Sequence, residues 1–119
     1  MRVKPKARRI DAGKYRTLAT VEEPIETVNA MHEVAITWQT HSIRWLEEQP
    51  TNGREYQTAM TTIPSLRGIY RTRSDSVSRA ITPRMRIIIG DRVLGIDSAF
   101  DEGGERREVV IWCIEEADV

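Results

Sequence analysis

Side chains able to do chemistry are few in this sequence, and none stands in a spacing that brings reacting groups together. His32 and His41 lie nine residues apart, with no nucleophile-elbow or Cys-His pattern around either, so both read as solvated turn residues rather than general bases. The single cysteine, Cys113, falls between Trp112 and Ile114 in an apolar run, where a thiol is expected to be buried and inert. Glu47 and Glu48 are adjacent, and on a strand they point to opposite faces, so they cannot serve one substrate as acid and base. The stretch Asp101-Glu102-Gly103-Gly104-Glu105 has the charge of a calcium loop without its ligand order, and reads as a hairpin tip. One Cys and two His are too few for a Cys-rich zinc site, and one Cys excludes a disulfide within the chain. The expectation is a protein that is not an enzyme and carries no metal or cofactor.

The 119 residues suit one compact domain. No apolar stretch is long enough for a membrane span, and the basic N-terminus is not followed by the apolar run of a secretory signal. The chain is therefore expected to be cytosolic and soluble, with no membrane partner. Its 18 Lys and Arg balance 18 Asp and Glu, yet the charges fall in blocks of alternating sign. Residues 1–16 hold seven bases and one acid, 17–64 two bases and seven acids, 65–92 seven and two, and 93–119 two and eight. Two readings stand side by side: the blocks pair across strands within one domain, or one copy's basic surface meets a neighbour's acidic one, as a head-to-tail interface requires.

The elements that must position these charges are mostly strands. Residues 1–15, with Lys4, Lys6, Arg8 and Arg9, lack periodicity and are expected to form a flexible or partner-ordered arm, leaving 16–119 as a single domain. A first strand runs from Arg16 and ends at Pro24. Residues 34–47 contain Val34, Ile36, Trp38, Ile43, Trp45 and Leu46, which predict a long strand bulged near Thr40–Ser42. Pro50 and Asn52-Gly53 then make a turn, and Tyr56, Ala59, Met60 and Ile63 fall at helical spacing before Pro64. Strands follow at 66–71, 85–89, 92–98 and 108–115, with Gly90-Asp91 as a hairpin turn. In the last strand Val109, Ile111 and Cys113 alternate with Val110, Trp112 and Ile114, so both faces are apolar. Such a strand is expected to be central in a closed barrel or covered by another subunit. The fold class is mainly β, a small antiparallel barrel or sandwich with one short helical or loop insertion.

Small barrels also bind single-stranded nucleic acid through a basic sheet face interleaved with aromatics, and Arg67, Arg71 and Arg73 flank Tyr70. The neutral net charge argues against a domain that relies on counterion release.

Several motifs, taken in order, resemble the phage head-tail adaptor or head-closure (head-tail joining, stopper) family. They are Gly13-Lys14-Tyr15-Arg16, Trp38, Gly53-Arg54-Glu55-Tyr56, Tyr70-Arg71-Thr72-Arg73, Ile81-Thr82-Pro83-Arg84-Met85-Arg86, Gly90-Asp91-Arg92, Ile96-Asp97-Ser98, Arg106-Arg107-Glu108 and Cys113-Ile114-Glu115. The resemblance spans about residues 13–116 and implies a virion protein rather than a catalyst. Such a protein forms a homo-oligomeric ring, twelvefold like the portal, between a portal-bound adaptor and a tail-terminator or tail tube protein, with packaged double-stranded DNA in its channel. It implies a channel-closing loop at 49–64, with Asn52, Gly53, Arg54, Glu55, Tyr56 and Gln57 at its centre. Arg67, Arg71, Arg73, Arg84 and Arg86 become a candidate lumen or intersubunit basic face, Arg84 and Arg86 sharing one side of a strand. Lys4, Lys6, Arg8 and Arg9 become a candidate adaptor-binding arm.

Overall fold

The computed structural model describes residues 12–116, so the arm residues Lys4, Lys6, Arg8 and Arg9 lie outside the described region. Six strands follow in order: β1 (Thr17–Val28), β2 (Val34–Glu48), β3 (Leu66–Arg73), β4 (Arg86–Ile89), β5 (Arg92–Asp101) and β6 (Glu108–Glu115). One helix, α1 (Arg54–Thr62), lies between β2 and β3. All neighbouring strands are antiparallel, and the order β1-β2-β3-β6-β5-β4 returns to β1, so a single sheet closes in a ring.

Inward side chains fill the ring: Val21, Leu46, Tyr70, Ile87, Ile111 and Cys113 are all fully buried there. A second cluster forms outside the sheet, where Tyr56 and Ala59 of α1 pack on Leu66, Ile69 and Val110. The two-sided β6 is thereby explained. It is central in the sheet, between β3 and β5, and its outer face is covered by the chain's own helix. The helical spacing of Tyr56, Ala59 and Met60 is the signal of that docking. Gly53 donates to the Pro50 carbonyl at 3.1 Å in the turn before α1, and the Tyr56 hydroxyl donates to the Leu66 carbonyl at 3.2 Å.

Several strand ends differ from expectation: β3 runs on to Arg73 and β5 to Asp101, and the limits of β1 and β4 differ for reasons the structure shows. Pro24 does not end β1, which continues to Val28. The last rung between β1 and β4 is Glu22–Arg86, so from residue 23 onward β1 is an edge strand, where a proline costs no ladder bond on its open side. At the other end, β4 begins at Arg86 rather than Met85, because the Met85 N–H bonds to the Thr82 carbonyl at 3.0 Å in a turn containing Pro83. Arg84 is therefore exposed in a turn and does not share a strand face with Arg86, contrary to the reading from sequence.

The polar connection after β3 is held by Asp75. Its carboxylate accepts the Ser78 N–H at 2.7 Å and the Arg44 guanidinium at 2.7 Å, while the buried Ser78 hydroxyl accepts the Asp75 N–H and donates to the Arg73 carbonyl. Burial raises the Asp75 pKa, but the Ser78 and Arg44 hydrogen bonds outweigh it and hold the carboxyl below its usual value. A depressed carboxyl stabilises the fold above its unfolded pKa and loses that contribution as pH falls through the folded one. Asp75→Ala is expected to cost about 1 kcal/mol at neutral pH, as loss of a cap does. Urea unfolding of the two proteins should converge in acid; a gap that persists there would contradict this role.

Candidate functional site

Arg71 organises the best-formed polar cluster. The rung Arg71–Glu47 brings β3 beside β2, the helix supplies Glu55, and the turn after β5 supplies Glu102. The Arg71 guanidinium binds Glu102, reaches Glu55 at 3.4 Å and Glu47 at 3.9 Å, and donates to Gln49 Oε1 at 3.3 Å. Arg71 is only 6% exposed. It joins four segments from beneath α1, and it is part of an internal network rather than of an open basic face.

A second cluster fastens the N-terminal edge. Glu108, 3% exposed, binds the Lys14 ammonium at 2.8 Å and accepts the Tyr15 hydroxyl at 2.7 Å. Arg73, opposite Glu108 on β3, lies 6.0 Å from the centre of the Tyr15 ring. Burial and then the Glu108 hydrogen bond push the Tyr15 pKa well above its ordinary value. Lys14 and Tyr15, which the sequence reading assigned to the arm, are thus anchored to the sheet.

The alternating charge blocks pair across neighbouring strands. Arg86 binds Glu22 at 2.8 Å and Arg67 binds Glu115 at 2.8 Å, each from β-strand to neighbouring β-strand, and Lys14 binds Glu108. In each pair a base of a basic block meets an acid of an acidic one, which is the intradomain reading of the pattern; Arg44 and Asp75 pair as the minority charges of their blocks. Arg86 also lies over the Trp38 ring at 4.2 Å. Of the five arginines placed on one basic face, Arg67 and Arg73 are exposed on β3, Arg84 is exposed in a turn, and Arg71 and Arg86 are held by carboxylates. The fold does not gather them into one patch. Asn52 and Gly53 form the turn before α1, and Arg54, Glu55, Tyr56 and Gln57 are the first turn of that helix, with Tyr56 buried.

Tyr70 is fully buried inside the ring, and burial pushes its pKa up to about 12. It cannot stack on a nucleic-acid base, so the single-strand-binding arrangement read from Arg67 to Arg73 is corrected. The other singled-out residues have structural places. His32 sits in the β1–β2 turn at φ 58°, where Asn29 Oδ1 accepts the Met31 and Glu33 N–H groups. His41 is the extra residue of the β2 bulge, because Val21 pairs with Ser42 and Glu22 with Thr40. Cys113 is fully buried, and burial pushes its thiol up to about 12. Among the described residues no three His, Cys, Asp or Glu side chains form a candidate metal site, and no helix is long and apolar enough to cross a membrane.

One surface was not legible in the sequence, the outward face of the β1–β2 hairpin. Directly opposed residues share a face in an antiparallel pair. The rungs Leu18–Trp45, Thr20–Ile43, Pro24–Trp38, Glu26–Ile36 and Val28–Val34 therefore line one side. Trp38 and Ile43 are five residues apart, an odd spacing that would put them on opposite sides of a regular strand. The bulge at His41 rephases β2, so that Val34, Ile36 and Trp38 stand on the same side as Ile43 and Trp45. That side faces solvent: Ile43 is 65% exposed, Val34 64% and Trp45 56%. The signal was present as the predicted bulge, but not the direction of the face.

A closed antiparallel sheet with its polar chemistry spent on internal ion pairs, and with an apolar face exposed along a hairpin, is the build of an assembly subunit. The chain belongs to the phage head completion protein family, whose model matches residues 10–116, and is a virion protein. Among solved structures, a protein of Shigella flexneri 2a determined in solution is 19% identical, with a TM-score of 0.70 over 92% of this chain and all of the other. A chain of the virion of a native gene transfer agent particle is 18% identical, with a TM-score of 0.59 over 98% of this chain and all of the other. At those identities the likeness is one of fold. No curated protein matches the sequence.

Proposed function

We propose that this chain is a structural, non-catalytic subunit of the head-tail connector of a tailed phage or phage-like particle. Copies of a small β-barrel form a ring below the portal and its adaptor, close the DNA channel and present the surface that the tail meets. The observation that carries this reading is family membership across the whole described region. The ring takes the portal's twelvefold symmetry, the basic segment with Lys4, Lys6, Arg8 and Arg9 meets the adaptor, and the opposite end meets a tail-terminator or tail tube protein.

Channel closure falls to the segment 49–64. Its tip at Thr51 and Asn52 is exposed and tied to α1 by the Gln57 side-chain amide, which donates to the Thr51 carbonyl at 2.8 Å, whereas lifting α1 uncovers Tyr56 and Ala59 and gives up about 2 kcal/mol or more of apolar burial. A stopper built from α1 therefore needs a new surface for that helix, and the turn before it needs none.

The test is electron microscopy of an induced lysate in which this gene alone is deleted. Free tails beside tailless heads that have lost their DNA are expected. Normal tailed particles would overturn the connector reading.

A further inference from the structure

Beyond its last rung to β4, the β1–β2 hairpin stands alone as a two-stranded ribbon. Residues 23–28 extend about 20 Å at the rise of a strand. A bare ribbon of this kind is marginal in water, and this one exposes Val28 by 63%, Val34 by 64% and Ile36 by 56% on its outward face. Residues 22–40 hold four acids, Glu22, Glu23, Glu26 and Glu33, and no Lys or Arg. Glu22 is taken by Arg86 and Glu23 accepts the Gln39 side-chain amide across the rung between them, which leaves Glu26 beside the apolar rungs and Glu33 at the tip.

A groove at the base of the same hairpin is lined by arginines and by no carboxylate, with Arg44 among them held by Asp75. The β2–β3 ladder has two rungs, Glu47–Arg71 and Glu48–Tyr70, and the strands then splay apart. The splay opens this groove, of about 730 Å³, floored by Ile43 and Trp45 and bounded by Tyr15, Arg16, Arg44 and Arg73. Leu18, 49% exposed, continues the apolar floor on β1.

We propose that the distal ribbon of one copy docks on the basal groove of the next copy. Val28, Val34 and Ile36 lie on Ile43, Trp45 and Leu18, with Glu26 and Glu33 against Arg16 and Arg73. Two distal ribbons face to face would oppose Glu26 and Glu33 to their own kind, and two basal grooves would oppose arginines, so charge selects distal on basal. That contact is heterologous and closes a ring when its rotation closes. The inference deepens the connector reading and depends on it only for where the ring sits.

The test uses one chain carrying both Val34→Cys and Ile43→Cys. The native Cys113 is left in place because it is fully buried. Within one copy the two new thiols are about 30 Å apart along β2, too far to bridge. Oxidation of purified, concentrated protein, and of particles containing it, is expected to give a ladder of covalent multimers. Val34→Cys alone and Ile43→Cys alone should give none beyond dimer. Adding Glu26→Arg with Glu33→Arg, on the projecting ribbon, should lower the ladder about tenfold or more, and Arg16→Glu with Arg73→Glu should restore it.

Dimers from Val34→Cys alone that match the ladder in yield, or normal particles with no ladder, would overturn the docking. A ladder in purified protein combined with normal tailed particles in the deletion strain would retain the docking and reject the connector. If the Arg16→Glu/Arg73→Glu chain does not fold, the comparison of double and single cysteine chains decides alone.

Discussion

Arg71→Ala is expected to lower the unfolding free energy by about 3 kcal/mol, the lower end of the cost of breaking a buried ion pair. The lower end applies because the partners keep access to water: Glu102 is 36% exposed and Glu55 52% exposed. What cannot be recovered is the bridge. One planar guanidinium reaches Glu47, Glu55, Glu102 and Gln49, and without it Glu55 and Glu102 lose the cation they share, while Glu47 keeps Lys14 at 3.6 Å. Arg71→Lys should recover less than half of the loss, since an ammonium is a single point charge and lacks the fork. Arg71→Met should fall between, because it keeps the stem packed under α1 but removes the charge. Urea unfolding with an unchanged denaturant slope checks the series, and a loss below about 1 kcal/mol for Arg71→Ala would remove Arg71 from its organising role.

Gly68→Ala is expected to cost about 3 kcal/mol, or about 10 °C in melting temperature for a chain of this length. An added Cβ would lie 2.5 Å from Tyr70 Cε2 and 2.9 Å from Cζ and Oη. The Tyr70 ring covers the glycine from two residues along the same strand face, and it is fully enclosed by the core. It cannot swing out to make room, so the strain passes into the packing around Ile111 and Val109. The double variant Gly68→Ala/Tyr70→Leu should cost less than the sum of the two single changes by more than about 1 kcal/mol, since the smaller side chain vacates the space the methyl needs. Additive losses in calorimetric melts would show that Gly68 acts through backbone freedom instead.

Local chemistry carried much of the architecture. β-branched runs bounded by Gly and Pro located the strands, and Gly90 at φ 61° makes the tight turn expected between β4 and β5. The spacing of Tyr56, Ala59 and Met60 marked α1, and the apolar run of residues 34–47 marked a long strand bulged near Thr40–Ser42. The family resemblance was also legible, because its motifs are short, ordered runs of sequence. The limits of β1 and β4 were less so. Whether Pro24 ends a strand depends on whether a neighbour lies alongside it, and that neighbour, β4, is sixty residues away in the chain.

What the sequence by itself determined about this protein is the inventory and its local grouping: mainly β structure, one helix, a series of charge blocks, and a family. Only the tertiary structure decided what each group faces. A two-residue period says that Tyr70 and Arg71 lie on opposite sides of β3, but not that both sides are enclosed, one by the ring interior and the other by α1. The same period groups Ile43 with Trp45, and only closure of the sheet turns that apolar side toward solvent. The reason is physical: side-chain alternation is fixed by the geometry of one strand, whereas inside and outside are properties of the closed sheet and of the helix laid upon it.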